Sequence, residues 1–238
     1  LRQLPLDLGH RGTPSFDAFL PGDNAGVLEA LQAWLARWRA QRGQAGEGPS
    51  AIAPLYLWGP TGSGKSHLLA ALAAAVQDHG GRVAWISAAG AAPRSSGGAP
   101  DLALIDDCDR LDAAAQQEAF GVFVEAADVG YPIVAAGRVP PVDLPVREDL
   151  RTRLGWGDIL AVVPLSEAET RAALRREADR RGIFLGDEVM AYLLSRFQRD
   201  LRSLMALLDR LDDYALAAKR PVTVPLLRRM FDEEVSGA

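Results

Sequence analysis

The sequence predicts an α/β fold, a parallel sheet with helices on both faces that carries a phosphate-binding loop, followed by a small all-helical domain. Three observations point there. Between residues 52 and 163, short apolar runs alternate with apolar residues at helical spacing, the pattern of strands joined by crossover helices. One strand-to-helix junction, Gly59-Pro60-Thr61-Gly62-Ser63-Gly64-Lys65-Ser66, has the G-x-x-x-x-G-K-S spacing of a nucleotide phosphate loop. From Pro164 onward the pattern is helical throughout.

Composition sets the bounds. A chain of 238 residues can bury one large core or two modest ones, and 48% hydrophobic content excludes a disordered protein. The net charge of −5 argues against a broad nucleic-acid surface and leaves room for a local basic patch. A single cysteine, Cys108, excludes an intramolecular disulfide framework and fits a small apolar filler after a strand. No run approaches the ~18 uncharged apolar residues of a membrane span, and the first residues lack a signal-peptide core. A cytoplasmic protein without membrane partners is expected, although Leu1 is not an initiator methionine.

Three segments follow: an extended tail at 1–14, a nucleotide-binding domain at 15–163 and a helical domain at 164–238. In the tail, Gln3-Leu4-Pro5-Leu6-Asp7-Leu8 alternates three leucines around a stiffening proline. Such a strip is either a partner-docking peptide or a packed edge strand. Phe16-x-x-Phe19-x-x-Gly22 precedes a helix whose Val27, Leu28, Leu31, Trp34, Leu35 and Trp38 share one face. Residues 42–50 form a polar, glycine-rich loop.

The strand Ile52–Trp58 then enters the phosphate loop. Glycines turn the chain tightly and let successive N–H groups face an anion, while the positive end of the helix starting near Lys65 adds its dipole. Lys65 is placed to reach the β and γ phosphates and Ser66 to ligate Mg²⁺. That helix carries Leu68, Leu69, Leu72 and Val76 and stops at Gly80-Gly81. A strand at 82–87 leads into a small-residue loop, 88–100, without periodicity.

Asp101-Leu102-Ala103-Leu104-Ile105-Asp106-Asp107 is a strand ending in two acids. Beside a phosphate loop, Asp106 can hold Mg²⁺ through water and Asp107 can polarise an attacking water; otherwise the pair caps the next helix. A helix at 113–128, with Phe120, Phe123, Val124 and Ala127 inward, precedes the strand 131–136, a basic segment around Arg147, Arg151 and Arg153, and a last strand at 159–163.

In the helical domain, Ser166 and Glu169 form a capping box, and Gly182 closes that helix. Asp187 and Asp200 open the next two helices, and Thr223-Val224-Pro225 starts a short fourth. Arg202 stands in the first turn of the third, where a cation opposes the helix dipole by about 0.3–1 kcal/mol unless an anion is bound. An ordinary exposed arginine is the alternative.

Taken together, the phosphate loop, the Asp-Asp strand end, the arginine-rich segment and the helical lid resemble an AAA+ ATPase. Phe16-x-x-Phe19-x-x-Gly22, Arg153-Leu154-Gly155-Trp156-Gly157 and Arg199-Asp200-Leu201-Arg202 are similar to the bacterial initiator DnaA. The DnaA helix-turn-helix is not found after the lid, and the Ala/Gly/Ser loop 88–100 replaces its single-stranded-DNA insertion. Gln3–Leu8 resembles the Gln-Leu-x-Leu-x-Leu peptide that docks on the DNA polymerase sliding clamp. This combination resembles the Hda family, regulatory inactivators of DnaA.

The resemblance implies a negative regulator of replication initiation. It would carry ADP or ATP with Mg²⁺ and dock on the clamp through Gln3, Leu4, Pro5, Leu6, Asp7 and Leu8. It would stimulate ATP hydrolysis by DnaA, with a homodimer left open, no sequence-specific DNA binding, and a place in the cytoplasm near the replisome. The nucleotide would be held by Gly59–Ser66, His67, Phe16, Phe19 and the sensor arginine Arg202, with Ser66 and Asp106 at the metal and Asp107 at the attacking water. Arg153 matches the arginine finger that acts in trans, an effect worth about 10³ to 10⁵ in rate in switch ATPases. Two departures lead to an expectation of slow intrinsic hydrolysis. Ala135-Ala136-Gly137 stand where a polar residue orients the attacking water, with Arg138 the first polar group, and the acid pair is Asp-Asp rather than Asp-Glu. An AAA+ helicase-loader or remodelling ATPase is the alternative function, and an initiator still binding origin DNA is a third.

Overall fold

A computed structural model describes residues 14–42, 52–88, 90–91, 98–196, 201–218 and 220–236. Two compact units emerge, Gly12–Pro164 and one containing Leu165–Ala238. The first has strands β1 (Leu55–Trp58), β2 (Val83–Ser87), β3 (Gly90–Ala91), β4 (Leu102–Ile105), β5 (Ile133–Gly137) and β6 (Asp158–Ala161). Its helices are α1 (Ala25–Arg42), α2 (Lys65–Asp78), α3 (Ala113–Val129) and α4 (Glu148–Leu154).

The sheet order is β3-β2-β4-β5-β1-β6. All pairings are parallel except β2 with the two-residue β3, a strand the glycine and alanine content of the 88–100 loop did not announce. Alternation within strands divides the core. Leu55, Leu57, Leu102, Leu104, Val134 and Ala136 face α1 and α2, packing with Leu31, Trp34, Trp38, Leu68, Leu69, Leu72 and Val76. Tyr56, Ala103, Ile105, Ile133 and Ala135 point the other way, onto Ala119, Phe123, Leu150 and Leu154 of α3 and α4.

Two helices differ from the sequence-based expectation. In α3 the buried positions are Ala119, Val122 and Phe123, whereas Phe120 is only partly covered and Val124 and Ala127 are exposed. The helix is one turn-fraction rotated from the expected face, because its Ala-rich start gives no strong apolar stripe to fix the phase. The basic segment is not irregular: Glu148–Leu154 is helical, with Leu150 and Leu154 buried, and two apolar residues four apart are too few to show periodicity.

The second unit holds α5 (Glu167–Arg180), α6 (Asp187–Arg196), α7 (Leu201–Ala218) and α8 (Val224–Ser236). The capping box is present in full: Ser166 Oγ accepts from Glu169 N, and Glu169 Oε2 accepts from Ser166 N at 2.8 Å. Gly182 takes φ 72°, the left-handed stop. Leu174, Met190, Leu193, Leu204, Leu208, Leu211 and Leu227 form the core. The expected Asp200 cap and the Gln3–Leu8 peptide lie outside the described residues.

Candidate functional site

Register brings the chemistry to one edge of the sheet. Trp58 pairs with Gly137 and Ile105 with Ala135, so the residues just beyond β1, β4 and β5 are Gly59, Asp106 and Arg138, at the C-terminal ends where α/β sheets bind ligands.

The loop is built by its glycines. Gly62 and Gly64 adopt φ 81° and 97°, conformations that side chains resist. A Cβ on Gly64 would stand 2.7 Å from the Phe19 ring, and one on Gly59 would stand 2.1 Å from the carbonyl of Val162. Phe19 is buried and stacks on His67 with ring centroids 6.0 Å apart, while the His67 ring also contacts the Ser15 carbonyl at 3.0 Å. Phe16 packs partly buried against the same core. Both phenylalanines therefore brace the start of α2 from the amino-terminal side.

Lys65 is only 8% exposed, and its ammonium donates to the carbonyls of Gly59 and Pro60 at 2.7 and 2.9 Å and to Ser63 Oγ at 3.3 Å. Burial lowers its pKa, against the pull of Asp106, Asp109 and Asp107. Neutral oxygens thus hold a buried cation whose counter-charges act only through space, an arrangement suited to receiving an anion. Asp106 is buried, and burial raises its carboxyl, opposed by hydrogen bonds from the Ser66 hydroxyl and the Asp107 N–H. Ser66 and Asp106 are thereby joined as two oxygen donors. Among the described residues no group of three or more His, Cys, Asp or Glu could hold a metal.

Asp107 is the one described non-glycine residue with positive φ, 51°. It precedes the 3₁₀ turn Cys108–Arg110 and makes no side-chain cap bond. The cap of α3 is instead Asp112, whose side chain accepts from Ala115 N at 2.8 Å. Helix capping therefore does not account for the acid pair. Cys108 is fully buried, and burial pushes its thiol up.

Sequence reasoning missed two arrangements. Asp109, with its side chain 4% exposed, accepts from Arg138 N at 2.9 Å and pairs with the Arg138 guanidinium at 2.5 Å. Burial would raise Asp109, but the Arg138 bonds outweigh it and hold it low. Asn24, also buried, donates to the Val163 carbonyl at 2.8 Å and accepts from the Val163 N–H at 2.7 Å. These partners stand 29 and 139 positions apart, a distance no local pattern spans.

Arg153 lies in the last turn of α4, half-buried, with its guanidinium 5.1 Å from the Phe120 ring and 5.2 Å from the Trp156 ring. Arg202 falls in the first turn of α7, and its side chain is outside the described set.

Residues 167–231 match the family model described as Hda, lid domain. Among solved structures, domain III of the Thermotoga maritima replication initiation protein DnaA superposes with a TM-score of 0.67 at 22% identity, covering 97% of this chain and 98% of that one. AMPPCP-bound DnaA from Aquifex aeolicus gives 0.62 at 21%, covering 83% of this chain and 64% of that one. A Thermotoga maritima RuvB variant gives 0.62 at 20%, covering 92% and 71%. Residues 167–231 thus match the Hda lid model, and the chain as a whole shares the fold of DnaA domain III.

Proposed function

We propose that this protein is a negative regulator of replication initiation that carries an adenine nucleotide, docks on the DNA polymerase sliding clamp and stimulates ATP hydrolysis by DnaA. The Hda-type lid on a DnaA-like fold is the observation that carries this conclusion. AMPPCP in the Aquifex aeolicus DnaA structure supports an adenine nucleotide in the loop Gly59–His67. Arg202 would be the sensor arginine. Ser66 and Asp106 would hold Mg²⁺, which neutralises phosphate charge when bound. Lys65 would exchange its loop carbonyls for phosphate oxygens. Gln3–Leu8 would be the clamp peptide and Arg153 the finger offered to the nucleotide of DnaA.

Slow hydrolysis by this chain itself is supported at β5. The strand ends in buried Ala135, Ala136 and Gly137, and the next side chain, Arg138, is a cation engaged by Asp109. None of the side chains that the strand itself supplies there, Ala135, Ala136 and then Arg138, can accept a proton from water or orient it as a neutral amide or hydroxyl does.

The test is ATP turnover by DnaA, with and without this protein and with and without clamp loaded on DNA. Stimulation is expected only with loaded clamp, and Arg153→Ala is expected to abolish it while leaving nucleotide and clamp binding intact. Full stimulation by Arg153→Ala would remove the finger role. DNA-stimulated turnover by this chain alone, without effect on DnaA, would favour the helicase-loader alternative.

A further inference from the structure

Arg147 and Arg153, at the two ends of α4, both lie near the Phe120 ring, at 5.5 and 5.1 Å, but their guanidinium donors are held differently. Arg147 is committed: its guanidinium bonds Gln117 and pairs with Asp149 at 2.6 Å, while its backbone N–H donates to Gln116 at 3.0 Å. Arg153 has no carboxylate or carbonyl partner among the described residues; its neighbours are two aromatic rings, Phe120 from α3 and Trp156 from the turn after α4. A ring face attracts a cation without accepting its in-plane N–H groups, whereas a carboxylate takes two of the five donors at once.

The Trp156 ring is placed by backbone. Trp156 N donates to the Arg153 carbonyl at 3.3 Å, and Asp158 N bonds the Pro54 carbonyl at 3.1 Å, pinning the far side of the turn to the residue before β1. Between them Gly157 packs so closely that a Cβ would stand 1.7 Å from that carbonyl. Trp156 is nonetheless 65% exposed, an unusual position for the largest apolar side chain unless it serves a surface role.

We infer that Phe120 and Trp156 are positioning residues that clamp the Arg153 guanidinium between ring faces and leave its donors available to the phosphates of a nucleoside triphosphate on a partner protein. The inference rests on the finger role proposed above. It deepens that role by saying how the arginine keeps a fixed place without forfeiting hydrogen-bonding capacity. Losing the clamp leaves the charge but frees its rotamers, so the step that needs the arginine slows while assembly with the partner is unaffected.

Trp156→Leu and Phe120→Leu keep apolar bulk and remove the ring face, and Trp156→Phe keeps a ring. In the DnaA turnover assay with loaded clamp, Trp156→Leu should lower the maximal stimulated rate about threefold and the double leucine variant about tenfold or more. The concentration giving half-maximal stimulation should stay unchanged, and Trp156→Phe should recover most of the rate. A circular-dichroism melt of each variant separates these effects from misfolding; the exposed Trp156 site is expected to leave the midpoint in place. If Arg153→Ala abolishes stimulation while folded Trp156→Leu and the folded double variant stimulate at the wild-type rate, the clamp is refuted and the finger stands. If Arg153→Ala itself stimulates normally, both fall. A rise in half-maximal concentration at constant maximal rate would also overturn the clamp, assigning the rings to partner contact instead.

Discussion

At the scale of single residues, Asn24 ties the beginning of α1 to the end of β6 through both hydrogen-bonding groups of one backbone position, Val163. Asn24→Ala removes both hydrogen bonds to the part-buried N–H and C=O of Val163, a loss of about 0.5–1.5 kcal/mol each. A thermal or urea melt is expected to show this as a fall of several degrees or a lower midpoint, and an unchanged melt would show that water replaces the amide at no cost. None of this was legible beforehand. Asn24 carries no local signal of its role, because its partner is 139 positions away. The phosphate loop was legible because its chemistry is local: Gly62, Gly64, Lys65 and Ser66 declare themselves by spacing alone, and their backbone angles follow from residue type. Asp109 with Arg138 shows the opposite case, an ordinary acid and an ordinary base that become a site only when β4 and β5 lie side by side.

At the scale of elements, Glu177 links the end of α5 to α7. Its carboxylate accepts from Arg180 at 2.6 and 2.9 Å and from Arg181 at 2.6 Å, and Arg181 in turn pairs with Asp209 of α7. The Arg180 bonds foremost, against partial burial and together with Arg181, hold the Glu177 carboxyl at about 2. A carboxyl depressed on folding adds stability above its unfolded value near 4.5 and loses it as pH falls toward about 2. Solvent screening keeps the contribution to roughly 1 kcal/mol or less. Acid melts should therefore show wild type losing an advantage over Glu177→Gln between pH 4.5 and 2, whereas parallel curves would mean the network carries no net stability. The capping box of α5 was readable from Ser166 and Glu169, three residues apart. The inward face of α3 was misjudged because alanines give weak phase information, and α4 escaped notice because seven residues make fewer than two turns in all.

At the scale of the molecule, the α/β sheet and the helical lid were foreseeable because strand and helix periods differ and the change of texture falls near Pro164. The sheet order was not, since no strand states its neighbours. A nucleotide that binds only the folded loop stabilises by mass action, about 2.7 kcal/mol at a hundredfold excess over its Kd. Wild-type protein should melt higher with ADP in proportion to the logarithm of its concentration, and Lys65→Ala should not respond. Equal shifts in both would place the nucleotide elsewhere than on the ammonium held by Gly59 and Pro60. Cys108 gives the same domain a built-in stopwatch. It is the chain's single thiol and lies wholly inside, two residues after Asp106, so a thiol reagent reaches it only during the moments when β4 and α3 part. Its labelling rate therefore counts those openings one molecule at a time, against a background with no other sulfhydryl to confuse the signal.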